Sequence, residues 1–159
     1  MRLLKTIPVL LLLASLDSYA GEYEHPQSHE LADALRAMQE QDASGFVIVE
    51  LQGSENYIQF ASESFYVSGA EGSGYIFDVP RVSLDDAQRL RAEEYFSRKG
   101  IDMIKVGSIN PVTGEVVALE TYEKSFERHE IEAGVKLGVG FILEVLEHDG
   151  PLLLVLGWE

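Results

Sequence analysis

There is no cysteine anywhere in the chain. That excludes disulfides, thiol nucleophiles and the lipidated cysteine that anchors bacterial lipoproteins. Basic residues are scarce too, with 12 Lys and Arg against 27 Asp and Glu and a formal charge of −15. Such a surface repels phosphate backbones and anionic membranes, so neither nucleic acid nor an anionic bilayer is an expected partner. It suits a basic protein, a basic peptide or a cationic ligand, and it also serves plain solubility. The common catalytic signatures are missing as well. No G-x-S-x-G elbow, phosphate-binding glycine loop, calcium loop or H-E-x-x-H pair occurs. Gly69–Gly74 has glycines, but at the wrong spacing and with no lysine to meet a phosphate. No internal repeat or low-complexity tract interrupts the chain.

The N-terminus has the order of a secretory signal peptide. Arg2 and Lys5 precede an apolar core at Val9–Ala14, and Ser18-Tyr19-Ala20 places small residues where a signal peptidase reads. The expectation is a leader over 1–20 cleaved after Ala20, and an exported, periplasmic or secreted product. An uncleaved N-terminal anchor is the alternative. The apolar run falls short of the roughly 20 residues of a spanning helix. No stable membrane insertion is therefore expected once the leader is removed. A thiol-free exported domain must be held by its core alone, which fits a bacterial periplasm. The remainder is of single-domain size, read as a flexible lead-in over 21–28 and one domain over 29–159.

Within that domain, hydrophobic spacing places the elements. Leu31, Ala34, Leu35 and Met38 make one helical stripe. Ser28 is the expected cap and Gly45 the terminator. Phe46–Leu51 and Tyr57–Ala61 flank a Gln52-Gly53-Ser54-Glu55-Asn56 break and read as a hairpin. The first strand, with little polar alternation, is expected to be covered on both faces. Phe65–Val67 and Tyr75–Val79 are further strand candidates, and Pro80 closes the series. Ser83-Leu84-Asp85-Asp86 approximates a capping box for a second helix. Leu84, Ala87, Leu90, Tyr95 and Phe96 are its expected apolar side, and Gly100 its stop. Ile101–Ile109 and Glu115–Thr121 read as a second hairpin across an Asn-Pro-Val-Thr-Gly turn. Ser125–Glu147 fits both helical spacing and strict alternation. Its length and acidic start favour a helix, with Glu132 and Lys136 as an i, i+4 pair. In that helix, Gly134 and Gly138 would permit a close approach to the sheet. Leu152–Leu156 is a last strand.

Few residues offer chemistry. His25 and His29, four apart beside Glu24 and Glu30, resemble half a metal site, but Pro26 lies between them. His129 and His148 read as solvated surface histidines. Glu50 is a carboxylate in an apolar strand and is expected at a strand end facing water. Tyr57, Phe65, Tyr66, Tyr75 and Phe77 are core or, if exposed, a peptide-binding surface.

Phe46-Val47-Ile48-Val49-Glu50, then Tyr57-Ile58-Gln59-Phe60-Ala61, the helix after Val82, and the ending Pro151-Leu-Leu-Leu-Val-Leu-Gly-Trp-Glu159 together resemble the TY-Chap group of type III secretion chaperone-like and YbjN-like domains. The resemblance spans Leu31–Glu159. It implies a compact sheet flanked by helices that binds peptides or partner proteins, often as a homodimer, without catalytic residues. It also implies a helix over Ser125–Glu147. Secretion chaperones act in the cytoplasm, and the export signal here leaves mainly the scaffold to carry over.

These readings converge on an α+β fold, an antiparallel sheet of about five to six strands with three flanking helices in the order α-βββ(β)-α-ββ-α-β. The expected role is a non-enzymatic, exported binding module for a peptide or protein, chaperone-like in character. It needs no cofactor and no metal. The alternative is an inhibitor or immunity-type protein whose acidic face blocks a basic enzyme or toxin.

Overall fold

The computed structural model describes residues 7–8, 25–41, 44–66, 74–109 and 112–158. The segment expected to be a signal peptide (apart from Ile7–Pro8), the cleavage point expected after Ala20, and Gly21–Glu24 lie outside them. So do Val67 and most of the glycine-rich loop.

One antiparallel sheet organises the chain. Its strands are β1 (Ile7–Pro8), β2 (Gly45–Leu51), β3 (Tyr57–Ser62), β4 (Gly74–Pro80), β5 (Met103–Ile109), β6 (Val116–Glu127) and β7 (Leu152–Trp158). They lie in the order β1-β7-β2-β3-β4-β6-β5. Apart from the two-residue β1, this is an open sheet of six strands. Three long helices, α1 (Ser28–Glu40), α3 (Asp86–Arg98) and α4 (Ile131–Glu144), join it in the expected order. A single turn, α2 (Glu63–Tyr66), follows β3. Among the described residues no helix is long and apolar enough to cross a membrane.

The long helices pack on one face of the sheet. Val47, Val49, Ile58, Phe60, Tyr75, Phe77 and Val79 point at them and are fully buried. Phe96 of α3 stacks on Tyr122 at 4.3 Å between centroids, and Phe141 of α4 meets Phe77 edge-on at 6.1 Å. The alternate residues of β2, Phe46 and Ile48, are only half-buried and Glu50 is exposed. β2 is central but not covered equally on both sides, which corrects the two-faced expectation.

Local chemistry explains the other departures. Helix α1 begins at Ser28, whose hydroxyl donates to His25 O at 2.8 Å instead of capping. Residues 25–28 of the expected lead-in are tied down, because Gln27 grips the Leu152 backbone with both ends of its amide (2.6 and 3.1 Å). α1 ends at Glu40, before Gly45, and Gly45 opens β2 against Met38 and Trp158. Phe65–Tyr66 belongs to the α2 turn, not to a strand. The cap of α3 is Asp85, not Ser83: its carboxylate accepts from Gln88 N at 2.8 Å and Gln88 answers the Asp85 N–H at 3.0 Å. Leu90 and Ala87 face solvent on α3, while Ala92, Tyr95 and Phe96 enter the core. Gly100 follows α3 at φ +65°, the left-handed stop expected of it.

The ambiguous stretch resolves into both structures. β6 runs to Glu127, and α4 occupies 131–144. The α4 glycines have the anticipated purpose. A Cβ at Gly138 would come within 2.8 Å of the Phe60 ring, and one at Gly134 would overlap the Tyr75 hydroxyl. That hydroxyl donates to Glu130 O at 2.8 Å, bonding sheet to helix start. Burial, reinforced by the Glu130 and Glu132 charges, pushes the Tyr75 phenol above its ordinary range, so it stays a donor. Glu132 reaches Arg36 on α1 at 3.1 Å, across the helix pair, where a Lys136 partner was expected.

Candidate interaction surface

The β5–β6 hairpin ends the sheet, and β5 is its edge strand: one side bonds β6 from Met103↔Tyr122 to Ile109↔Val116, and no strand among the described residues pairs with the other. The hairpin is apolar yet exposed. Val112 is 91% exposed, Val116 73%, Val117 50%, Ile104 40% and Met103 37%. The register puts Ile104 and Val117 on the helix-free side, and Met103 and Val116 on the helix side with Tyr122. Both faces are exposed because the β5–β6 strands run on past the last aromatic contact with α3, Phe96 on Tyr122. Exposed apolar patches on an unpaired edge mark protein contact sites, and soluble proteins ordinarily guard such edges with charge or proline.

The guard here is thin. Residues 103–119 hold one base, Lys105, and one acid, Glu115, in a chain of charge −15. Lys105 Nζ is turned to Glu120 at 3.5 Å, and Arg81 holds the same carboxylate at 2.8 Å. The Arg81 hydrogen bond and charge keep the Glu120 carboxyl below the usual carboxylate range. The hairpin is therefore a neutral, apolar gap in an acidic surface.

Beyond it, the helix-free side carries carboxylates. Asp78 and Glu123 face each other across β4 and β6. Burial raises both, Glu123 further through the Asp78 charge, while the Thr121 hydroxyl bonds Asp78 and partly offsets its shift. Among the described residues neither carboxylate has a salt-bridge partner, whereas Arg36, Arg81, Arg89, Arg91 and Arg98 are each bound to acids of the same chain.

The other sequence candidates disperse. His25 is buried, accepting the Gln27 N–H at Nδ1 (3.1 Å) and so donating from Nε2 to Gly150 O (3.1 Å). His29 is exposed on α1, so the two histidines do not converge. No cluster able to hold a metal occurs among the described residues. His129 is exposed, and His148 is half-buried against Pro151 O at 3.2 Å. Glu50 faces water near its strand end, as expected. Tyr75 and Phe77 are core, Tyr57 is half-buried, and the side chains of Phe65 and Tyr66 lie outside the described residues. An open recess of about 540 Å³ lies beside the β2–β3 turn, between Glu50, Tyr57 and Leu153. Sequence reasoning missed the edge. Its signal was there, in a seven-residue strand with a single charge followed by Val116-Val117-Ala118-Leu119.

No family model, curated protein or solved structure matches the chain.

Proposed function

We propose that the chain is an exported, non-enzymatic recognition module that takes a polypeptide partner by strand addition at β5. The observation that carries this reading is the neutral, apolar, unpaired β5 edge standing in a strongly acidic surface. Main-chain bonds to such an edge supply affinity without a side-chain code, which suits chaperone-like binding. The acidic surroundings add a preference for a segment flanked by basic residues. The resemblance to the TY-Chap group points the same way.

The test uses a labelled valine–threonine peptide with lysine at both ends, titrated by fluorescence anisotropy. The wild type binds it, added salt weakens the binding, and Ile104→Lys with Val117→Lys abolishes it. Both positions are exposed, so the fold survives the change. Binding that ignores the double substitution contradicts the reading.

A further inference from the structure

We propose that the β5 edge also pairs with the β5 edge of a second copy of this chain, and that this self-pairing competes with client docking. It rests on the reading that β5 is the docking edge, and it names the edge's resting occupant. Two copies at −15 each repel wherever charged surfaces meet. The edge segment, with its one internally paired lysine, is where they can approach. Closed two-fold contact requires a self-complementary surface, and β5 provides one. An antiparallel pair centred on Val106, the middle of Met103–Ile109, sets Lys105 across from Gly107, Ile104 across from Ser108 and Met103 across from Ile109. No like charges oppose each other, which is the condition for a favourable cross-strand pair. The result is one sheet continuous through both copies, with the exposed Ile104 and the half-buried Val106 at the seam. A contact of one strand pair is small, so the pair exchanges and a client strand can displace it.

Gly107 gives a test with two signs. It is exposed, its φ is not in the left-handed region, and a Cβ there would meet only Val116 Cγ1 at 3.4 Å, so side chains are tolerated. Gly107→Lys sets lysines opposite one another on either side of the Val106 centre, and Gly107→Glu sets Glu opposite Lys105 twice. Sedimentation equilibrium of the exported chain, with and without the lysine-ended valine–threonine peptide, reads the outcome. The expected result is a reversible dimer, weakened tenfold or more by Gly107→Lys, tightened by Gly107→Glu, and converted to monomer by the peptide. A dimer indifferent to both substitutions, or one that binds peptide without dissociating, overturns the proposal. A chain that is monomeric at every concentration but binds the peptide overturns self-pairing and leaves the docking reading standing. A monomer that ignores the peptide removes both.

Discussion

Alanine at position 134 should lift α4 from the sheet. The added Cβ would overlap the Tyr75 hydroxyl and sit 3.0 Å from two carbons of its ring. That ring has little freedom to move. Tyr75 is fully buried, stacked on Phe126 at 5.2 Å and 21°, and bonded to Glu130 O. Overpacking a fixed core of this kind costs about 1–3 kcal/mol. Loss of the Tyr75 hydrogen bond adds about 1 kcal/mol. Against this, replacing a mid-helix glycine by alanine returns up to about 1 kcal/mol. The net loss is therefore about 1–3 kcal/mol, read as a lower urea midpoint at constant slope in circular dichroism. Tyr75→Phe isolates the cause. Alone it loses the hydrogen bond and costs about 1 kcal/mol. Combined with Gly134→Ala it removes the overlapping oxygen, so the double variant should be more stable than the sum of the singles by about 1 kcal/mol or more. If Gly134→Ala is as stable as wild type, or the two changes simply add, the close-approach account of α4 is wrong.

Further outcomes follow from the same contacts. Burial raises the Asp78 carboxyl, so the folded chain keeps that proton to higher pH than the unfolded chain does, and stability falls as pH rises through this window. Asp78→Asn keeps an acceptor for Thr121 without the charge, so its urea midpoint should match wild type in acid and exceed it near neutrality; equal midpoints at neutral pH would refute this. Gln27→Ala removes both bonds to Leu152 and should cost about 1–3 kcal/mol, with faster amide exchange at Leu152 as the local readout. The neutral His25 ring should carry its proton on Nε2 in nitrogen NMR, since Nδ1 accepts the Gln27 N–H; a neutral ring with its proton on Nδ1 would break that assignment.

Sequence patterning exposed the parts of the fold set by one-sided burial. The α1 stripe of Leu31, Ala34, Leu35 and Met38 is buried as spaced, and the order of helices and strands followed from such patterns. It failed where tertiary context decides. Leu90 has the right spacing for the core but lies on the outward side of α3. Phe65 and Tyr66 have strand propensity and sit in a helical turn. Ser83 and Asp85 both suit a cap, and only the Gln88 side chain, reciprocating to the Asp85 N–H, selects between them. β6 runs past Thr121 through charged residues because Glu123 and Lys124 fall on opposite sides of a strand whose Tyr122 and Phe126 are buried. The candidate surface was legible as composition but not as a place. Whether an apolar strand is central or an edge depends on sheet order, and adjacent strands in sequence do not reveal that β5 comes last.

Hydrogen exchange along β5 tests the central claim most directly. The account predicts that alternate amides of Met103–Ile109, those not bonded to β6, exchange quickly in dilute protein and slow markedly when the valine–threonine peptide or a high concentration of the chain itself is present. Unchanged exchange along β5 under both conditions, with protection appearing elsewhere, would contradict it.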